Sequence, residues 1–153
     1  MACYLLKFNQ PAGDPTRPGA FAEYYLGFSA DCPTHRNLLR RILSHAEGTW
    51  IEWSLYPLRQ PPALPRWFFE RGIGFRVARV WLGRSRKFER RLKRNGHYKR
   101  HDLVYRSERG LPLTSINADE LALIAEANQR LRCVGTNIRT LPVVAESSFA
   151  LAA

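Results

Sequence analysis

Two tyrosine segments and one isolated glutamate carry the residues of this chain whose types could do chemistry. Tyr4 lies in a CYLL segment, Tyr25 lies in a YYLG segment, and Glu89 is the single acidic residue of the basic run RKFERRLKR. Hydrolysis of a phosphodiester needs an oriented water, an acceptor for its proton and positive charge on the phosphate. Nearby cations favour the phenolate form of a tyrosine, which can accept that proton, and a carboxylate that binds Mg²⁺ or Mn²⁺ can bring the positive charge. These residue types therefore indicate phosphodiester hydrolysis.

A helical segment supplies two further candidate residues. Arg41 and His45 are four positions apart and therefore share one face of a helix. Taken alone, His45 is typical of a cation near a helix C-terminus, and Glu89 can form an ordinary ion pair at helical spacing with Arg86 or Lys93. A strand tyrosine is most often a core or interface aromatic. The catalytic hypothesis therefore depends on all of these residues occurring together.

The positive charge of the chain is concentrated in one segment. Of the formal net charge of +11, all comes from positions 66–110, which contain 15 Lys or Arg and 4 Asp or Glu. Such a segment predicts a polyanionic partner, because each phosphate that a protein contacts releases counterions. We expect DNA, with RNA as an alternative, because a helix this polar is unsuited to lie in lipid. The residues predicted to contact nucleic acid are Arg36, Arg86, Lys87, Arg90, Arg91, Lys93, Arg94, Asn95, Lys99 and Arg100.

Cysteine content and hydropathy argue against several classes of protein. Three cysteines, an odd number at wide spacing, disfavour a disulfide framework and a zinc site. No apolar run is long enough to span a bilayer, and the N-terminus lacks the pattern of a signal peptide. Hydrophobic residues make up 45% of the chain, enough for a core. We expect a folded cytoplasmic protein with no membrane partner, either a monomer or a homodimer.

Periodicity predicts a small layered α+β domain. Strands are expected over residues 4–8, 23–28 and 75–82, and a loop rich in proline and glycine over 10–20. The first two strands are close enough in sequence to pair antiparallel. Mixed with helices in this order, they predict a small antiparallel three-stranded sheet flanked by helices, with an extra C-terminal helical segment.

Helical spacing predicts three helices, over residues 33–46, 86–94 and 119–132. The aromatic and proline-rich stretch 49–66 is expected to be ordered but irregular, because its tryptophans need burial. On the third helix, the expected buried side carries Leu121, Ile124, Ala125 and Leu131. The expected start and stop residues are Pro33 and Gly48, Ser85 and Gly96, and Asn117 or Asp119 and Gly135.

Together these segments resemble the GIY-YIG nuclease superfamily. The resemblance covers roughly residues 2–100 and departs from the family pattern at Ala2, which replaces a glycine, and at Leu26, which replaces an isoleucine. The segments that carry it are 2–4 and 25–27 for the two tyrosine tripeptides, 41–48 for the Arg-Leu-x-x-His-x-x-Gly helix, 71–81 for the third strand, and 88–95 for the metal-binding helix and its C-terminal end. The last of these segments is the most specific.

The resemblance implies a metal-dependent DNA endonuclease. Glu89 would hold one Mg²⁺ or Mn²⁺ ion, Tyr4 would act as general base for the attacking water, and Arg41 would stabilise the pentacovalent phosphate. Tyr25 would orient the water or the phosphate. His45 or Lys93 would have a supporting role.

The catalytic arginine and the activity itself each have an alternative. The family places its arginine about two helical turns after the second glycine, which Arg36 fits, whereas Arg41 fits the local pattern with His45 and Gly48, and we prefer Arg41. The alternative to an enzyme is a catalytically inactive nucleic-acid-binding protein of the same fold. A third possibility is an interaction protein whose basic segment meets an acidic partner.

The C-terminal part of the chain differs in character from the rest. We divide the chain into a nuclease-like domain over residues 1–105 and a helical extension over 106–153. Residues 120–138 faintly resemble segments of plasmid mobilisation accessory proteins, which would link the chain to mobile-element DNA. The alternative is an accessory helix that packs on the domain.

Overall fold

The computed structural model describes residues 1–14, 19–30, 35–48, 63–112 and 115–133 of the chain. Three strands form one antiparallel sheet in the order β2-β1-β3, with helices on both faces. The described elements are β1 (Ala2–Gly13), β2 (Phe21–Ser29), α1 (His35–Glu47), α2 (Ala63–Glu70), β3 (Phe75–Leu82), α3 (Arg86–Asn95), a 3-10 turn (Tyr98–His101), α4 (Leu103–Glu108) and α5 (Ala118–Leu131). The predicted α+β class, with a three-stranded antiparallel sheet flanked by helices, is confirmed.

The register of the central strand decides which side chains share a face. In β1, Tyr4 lies opposite Gly27 of β2, and Leu6 lies opposite Tyr25. Because successive side chains of a strand point to opposite faces, Tyr4 and Leu6 lie on one face, and Cys3 lies on the other. Tyr4 and Tyr25 therefore belong to the same face of the sheet, on neighbouring strands.

Each face of the sheet is covered by different helices. On the Tyr4 face, α1 and α5 bury apolar side chains such as Ile42 and Leu123 against the sheet. On the opposite face, Leu92 of α3 packs in a second cluster with Leu5 and Trp81. Helices α1 and α3 thus approach the sheet from its two sides, which positions their polar residues near the end where β2 stops.

The predicted bounds of the strands are confirmed for β3 and too short for the other two. Residues 10–13, expected in a loop, belong to β1, because Ala12 and Gly13 pair with Ala22 and Phe21 of β2. The pairing shifts register between Lys7 and Ala12. An irregularity of this kind tolerates the proline that favoured a loop.

The predicted caps of the helices are confirmed where the structure describes them. The backbone N–H of Phe88 donates to Oγ of the N-cap residue Ser85 at 3.4 Å, and α3 ends at Gly96. Gly48 follows α1 with φ +73°. Asn117, one of the two expected starts of α5, is its N-cap and forms a capping box with Glu120.

Three helical features differ from the prediction. Residues 63–66 are helical rather than irregular, because Pro65 lies in the first turn of α2, where a proline breaks no helical hydrogen bond. Helix α4 is too short to show periodicity, and its start depends on Asp102, whose carboxylate accepts backbone hydrogen bonds. On α5 the predicted buried residues Leu121 and Ala125 are only partly buried. The residues that fill this face are Leu123, Ile124, Ala127, Asn128 and Leu131.

Several expectations fall on residues that the structure does not describe. They are the first-turn role of Pro33, the irregular stretch over 49–62, the stop at Gly135 and residues 134–138 of the mobilisation-like segment. Among the described residues, no helix is long and apolar enough to cross a membrane.

Candidate functional site

The hydroxyl of Tyr4 is held in place by two neighbours. Tyr4 is fully buried, and its Oη lies 2.8 Å from Nε2 of His45, within hydrogen-bond distance. The phenol ring lies directly over Gly27. A Cβ atom at this position would come within 2.3 Å of Tyr4 Cζ, so only glycine leaves room for the ring. Gly27 of the YYLG segment therefore leaves the space that the Tyr4 ring occupies.

His45 is uncharged in this site. Burial, and then the charge of Arg41, lower its pKa from 6.5 to about 3. The expectation of a cation near a helix C-terminus is therefore wrong: the same helix face that carries His45 is pressed against the sheet. A neutral imidazole can accept a hydrogen bond from the Tyr4 hydroxyl or donate one to it, depending on its tautomer.

Tyr25 completes an aromatic group of three rings. Its ring centroid lies 6.3 Å from that of Tyr4 and 5.9 Å from that of His45. Burial raises the pKa of Tyr25 well above 10, with a further contribution from Tyr4, while Arg41 lowers it and Glu89 raises it. The expectation that nearby cations favour a phenolate is thus wrong for Tyr25, because burial dominates. Tyr25 remains a hydroxyl that can donate a hydrogen bond.

Arg41 is the arginine that enters this site. It lies one turn before His45 on α1, is half-buried, and influences the pKa of both His45 and Tyr25. One of its terminal nitrogens lies 3.5 Å from Oγ of Ser29, at the end of β2. Arg36, the alternative catalytic arginine, has an exposed side chain. The position of Arg41 thus agrees with the preference drawn from the sequence, although its catalytic role stays a prediction.

Glu89 reaches the site from the other side of the sheet. It is 3% exposed, and its charge contributes to the raised pKa of both Tyr25 and Cys3. Lys93 Nζ lies 2.9 Å from Oε1, and an Arg86 nitrogen lies 3.7 Å from Oε2. Both ion pairs that helical spacing predicts are therefore present, and they flank a buried carboxylate whose charge acts on Tyr25 and Cys3.

One carboxylate oxygen of Glu89 has the surroundings expected of a metal ligand. Within the described residues, its Oε2 is buried and has no hydrogen-bond partner, and an unsatisfied buried oxygen is unfavourable unless a cation or water occupies it. No group of three or more His, Cys, Asp and Glu in the described part of the chain could hold a metal. Mg²⁺ is compatible with this, because it keeps several waters and often takes only one or two protein carboxylates.

The residues predicted to contact nucleic acid all have exposed side chains. Those on α3 surround the buried Glu89, and the guanidinium of Arg86 lies 4.5 Å from the ring centroid of Phe28. Lys99 and Arg100 belong to the 3-10 turn that comes after α3. The exposed residues are Arg36, Arg86, Lys87, Arg90, Arg91, Lys93, Arg94, Asn95, Lys99 and Arg100.

Two site residues were not identified from the sequence. Ser29 lies just after the predicted strand 23–28, and its buried Oγ accepts a hydrogen bond from Arg41. Cys3 was considered only as a disulfide or zinc ligand, but it is a buried thiol whose pKa is raised to about 11, chiefly by burial and then by Glu89. Alternation along β1 places Cys3 on the α3 side, and this signal could have found it.

Comparison of the chain with protein-family models, with curated proteins and with solved structures gives no match in any of the three. The function of this site is therefore inferred from its own geometry and from the resemblance of its motifs.

Proposed function

We propose that the protein is a metal-dependent endonuclease that hydrolyses phosphodiester bonds of DNA and is related to the GIY-YIG nucleases. One observation carries the proposal. Residues from β1, β2 and α1, far apart in sequence, lie together: the rings of Tyr4, Tyr25 and His45 are neighbours, and the charge of Arg41 acts on the pKa of Tyr25 and of His45. The charge of Glu89, from α3, also acts on the pKa of Tyr25.

In the proposed reaction, Tyr4 gives up its own hydroxyl proton to solvent and, as a phenolate, then accepts the proton of the attacking water. His45 directs the oxygen of Tyr4 through the 2.8 Å contact, and its low pKa keeps it from retaining a proton at neutral pH. Tyr25 stays protonated and donates a hydrogen bond to the water or to a phosphate oxygen. Arg41 supplies positive charge to the pentacovalent phosphate.

Glu89 is the residue that would hold a divalent cation. A bound Mg²⁺ or Mn²⁺ would supply charge stabilisation to the phosphate and lower the pKa of a bound water. Lys93 and Arg86 pair with the Glu89 carboxylate at 2.9 and 3.7 Å. The exposed cations of α3 would contact the DNA backbone on either side of the site.

The catalytically inactive DNA-binding protein is the second candidate, and one observation favours it. Tyr4 has no exposed surface, Glu89 is 3% exposed, and Lys93 covers one carboxylate oxygen. A phosphodiester reaches Tyr4 only if this end of the sheet opens. A protein that binds DNA without cutting it needs no such opening.

Cleavage of supercoiled plasmid in Mg²⁺ or Mn²⁺ separates the two candidates. Wild type is compared with Glu89→Ala and with Glu126→Ala, which removes a carboxylate from a surface ion pair on α5. We expect metal-dependent nicking by wild type and by Glu126→Ala, and none by Glu89→Ala. Equal nicking by all three contradicts the assigned site. DNA binding by all three without cleavage by any supports the inactive protein.

A further inference from the structure

A second pocket lies on the opposite face of the sheet, away from the Tyr4 hydroxyl. Three tyrosines, Tyr24, Tyr98 and Tyr105, line it, and its charged lining residues are Glu23, Lys99, Arg100 and Arg106. Tyr24 pairs with Lys7, three positions along β1 from Tyr4, and points away from the face of Tyr25. The pocket is therefore distinct from the candidate catalytic site.

A buried polar network holds the wall of this pocket in place. The hydroxyl of Tyr24 donates to Asp102 at 2.7 Å, and Arg76 donates two hydrogen bonds of 2.8 Å to the same carboxylate. Asp102 is fully buried and also caps α4, the helix that carries Tyr105. Two strands and a helix thus fix the ring of Tyr24, and the ring of Tyr98 lies 6.1 Å from it.

The rim of the pocket carries side chains of both charge signs. Lys99 and Arg100 are exposed on the 3-10 turn, whereas the half-buried Glu23 lies on β2. The side chain of Arg106 donates to backbone carbonyls of Arg100 and Pro112, which ties the turn to the following loop. A ligand that carries both an anionic group and hydrogen-bond donors matches this lining.

We propose that this pocket binds an unpaired nucleotide of a single-stranded nucleic acid. The base would stack on the tyrosine rings, its N–H groups would face Glu23, and its phosphate would contact Lys99 and Arg100. A base within a duplex is already stacked on its neighbours, so only an unpaired base has a face free for the rings. The 3-10 turn that lines the pocket follows the basic helix α3 directly in the chain, and α3 would continue the path of the strand.

This inference goes beyond the proposed nuclease activity and can be tested without it. Fluorescence anisotropy in EDTA compares the binding of a labelled single strand of about 12 nucleotides with that of its duplex. A double variant with Lys99→Gln and Arg100→Gln, the pocket pair, removes two positive charges from the pocket. As a control, a double variant with Lys87→Gln and Arg90→Gln, the α3 pair, removes the same charge from exposed positions of α3. Since no cleavage is measured, a protein that never cuts can still satisfy the test.

We expect the pocket variants to lose affinity mainly for the single strand. The pocket pair weakens single-strand binding at least about fivefold and changes duplex binding much less, whereas the α3 pair weakens both alike. Tyr98→Leu also weakens single-strand binding, while Tyr98→Phe retains it because the ring is kept. Thermal unfolding checks that each variant is folded.

Two results would overturn the inference. In the first, the pocket pair and Tyr98→Leu both bind the single strand as tightly as wild type does. The other is a polyglutamate peptide that binds wild type as tightly as the strand does and loses affinity in the pocket variants, since an acidic peptide would then be the occupant.

Discussion

Replacement of Gly27 by alanine tests whether the position of Tyr4 depends on the YYLG glycine. The added Cβ would lie 2.3 Å from Cζ and 2.6 Å from Oη of Tyr4, whereas ordinary contacts begin at 3.4 Å. The Tyr4 ring must therefore move by about 1 Å or more, because packed cores do not absorb such overlaps. A displacement of this size also breaks the 2.8 Å contact with His45.

Two contributions set the magnitude of the effect. Overpacking a core costs about 1–3 kcal/mol, and loss of a hydrogen bond between uncharged groups costs about 0.5–1.5 kcal/mol. We expect Gly27→Ala to lower the free energy of unfolding by about 2–4 kcal/mol. For a chain of this length that corresponds to a fall in Tm of about 5–15 °C.

Urea unfolding of Gly27→Ala and Gly13→Ala provides the assay. Gly13 lies on the same sheet, and a Cβ atom there would meet no other atom within 4 Å. We expect Gly13→Ala to change the free energy of unfolding by less than about 1 kcal/mol. If the two variants are equally stable, Tyr4 does not approach Gly27 this closely, and the proposed geometry of the site is refuted.

Three further predictions concern charged groups. Lys93→Met removes an ammonium 2.9 Å from the Glu89 carboxylate; we expect tighter binding of Mn²⁺ by calorimetry, because a competing cation is gone. Asp102→Asn leaves Arg76 buried without its charge partner; we expect about 3–5 kcal/mol of destabilisation by urea unfolding. The pKa of His45 is lowered from 6.5 to about 3 in the folded state, so protonation favours unfolding. Wild-type stability should therefore fall as pH decreases through that window, by up to about 1.4 kcal/mol per pH unit, and His45→Gln should show a shallower dependence.

Matched substitutions control two of these predictions. Arg90→Met removes an exposed cation of α3 and should leave Mn²⁺ binding unchanged; an equal gain in both variants would contradict direct competition by Lys93. Asp119→Asn changes an exposed carboxylate in the first turn of α5, and destabilisation equal to that of Asp102→Asn would contradict the special role of the buried group. A wild-type stability that is flat between pH 3 and 6.5 would contradict the burial of a neutral His45.

Local signals in the sequence were enough to predict most of the sheet and two helices. Alternating apolar residues gave the bounds of β3, and Ser85 and Asn117 marked the starts of α3 and α5. These features depend on chemistry within a few residues, which a single sequence displays. The predicted end of β1 was too early, because Pro11 favoured a loop. The strand can include this proline because its pairing with β2 shifts register there, and a single sequence does not show that pairing.

The site residues were predicted by motif, whereas their electrostatic states required the fold. The sequence suggested that nearby cations act on Tyr25 and that His45 is a cation near a helix C-terminus, but burial is the largest cause of both pKa changes. Burial depends on how α1 packs on the sheet, which no local pattern specifies. The network of Tyr24, Arg76 and Asp102 joins positions up to 78 apart in sequence and was likewise not predicted.

Single-turnover cleavage of DNA by Tyr4→Phe tests the central claim most directly. This substitution keeps the ring over Gly27 and removes only the hydroxyl that lies beside His45. We expect cleavage to fall by about 10²–10⁴-fold, as for loss of a general base, while DNA affinity stays close to that of wild type and the free energy of unfolding falls by only about 0.5–1.5 kcal/mol, the cost of the lost hydrogen bond with His45. Cleavage at the wild-type rate would contradict the proposed mechanism, because the Tyr4 hydroxyl would then take no part in the reaction.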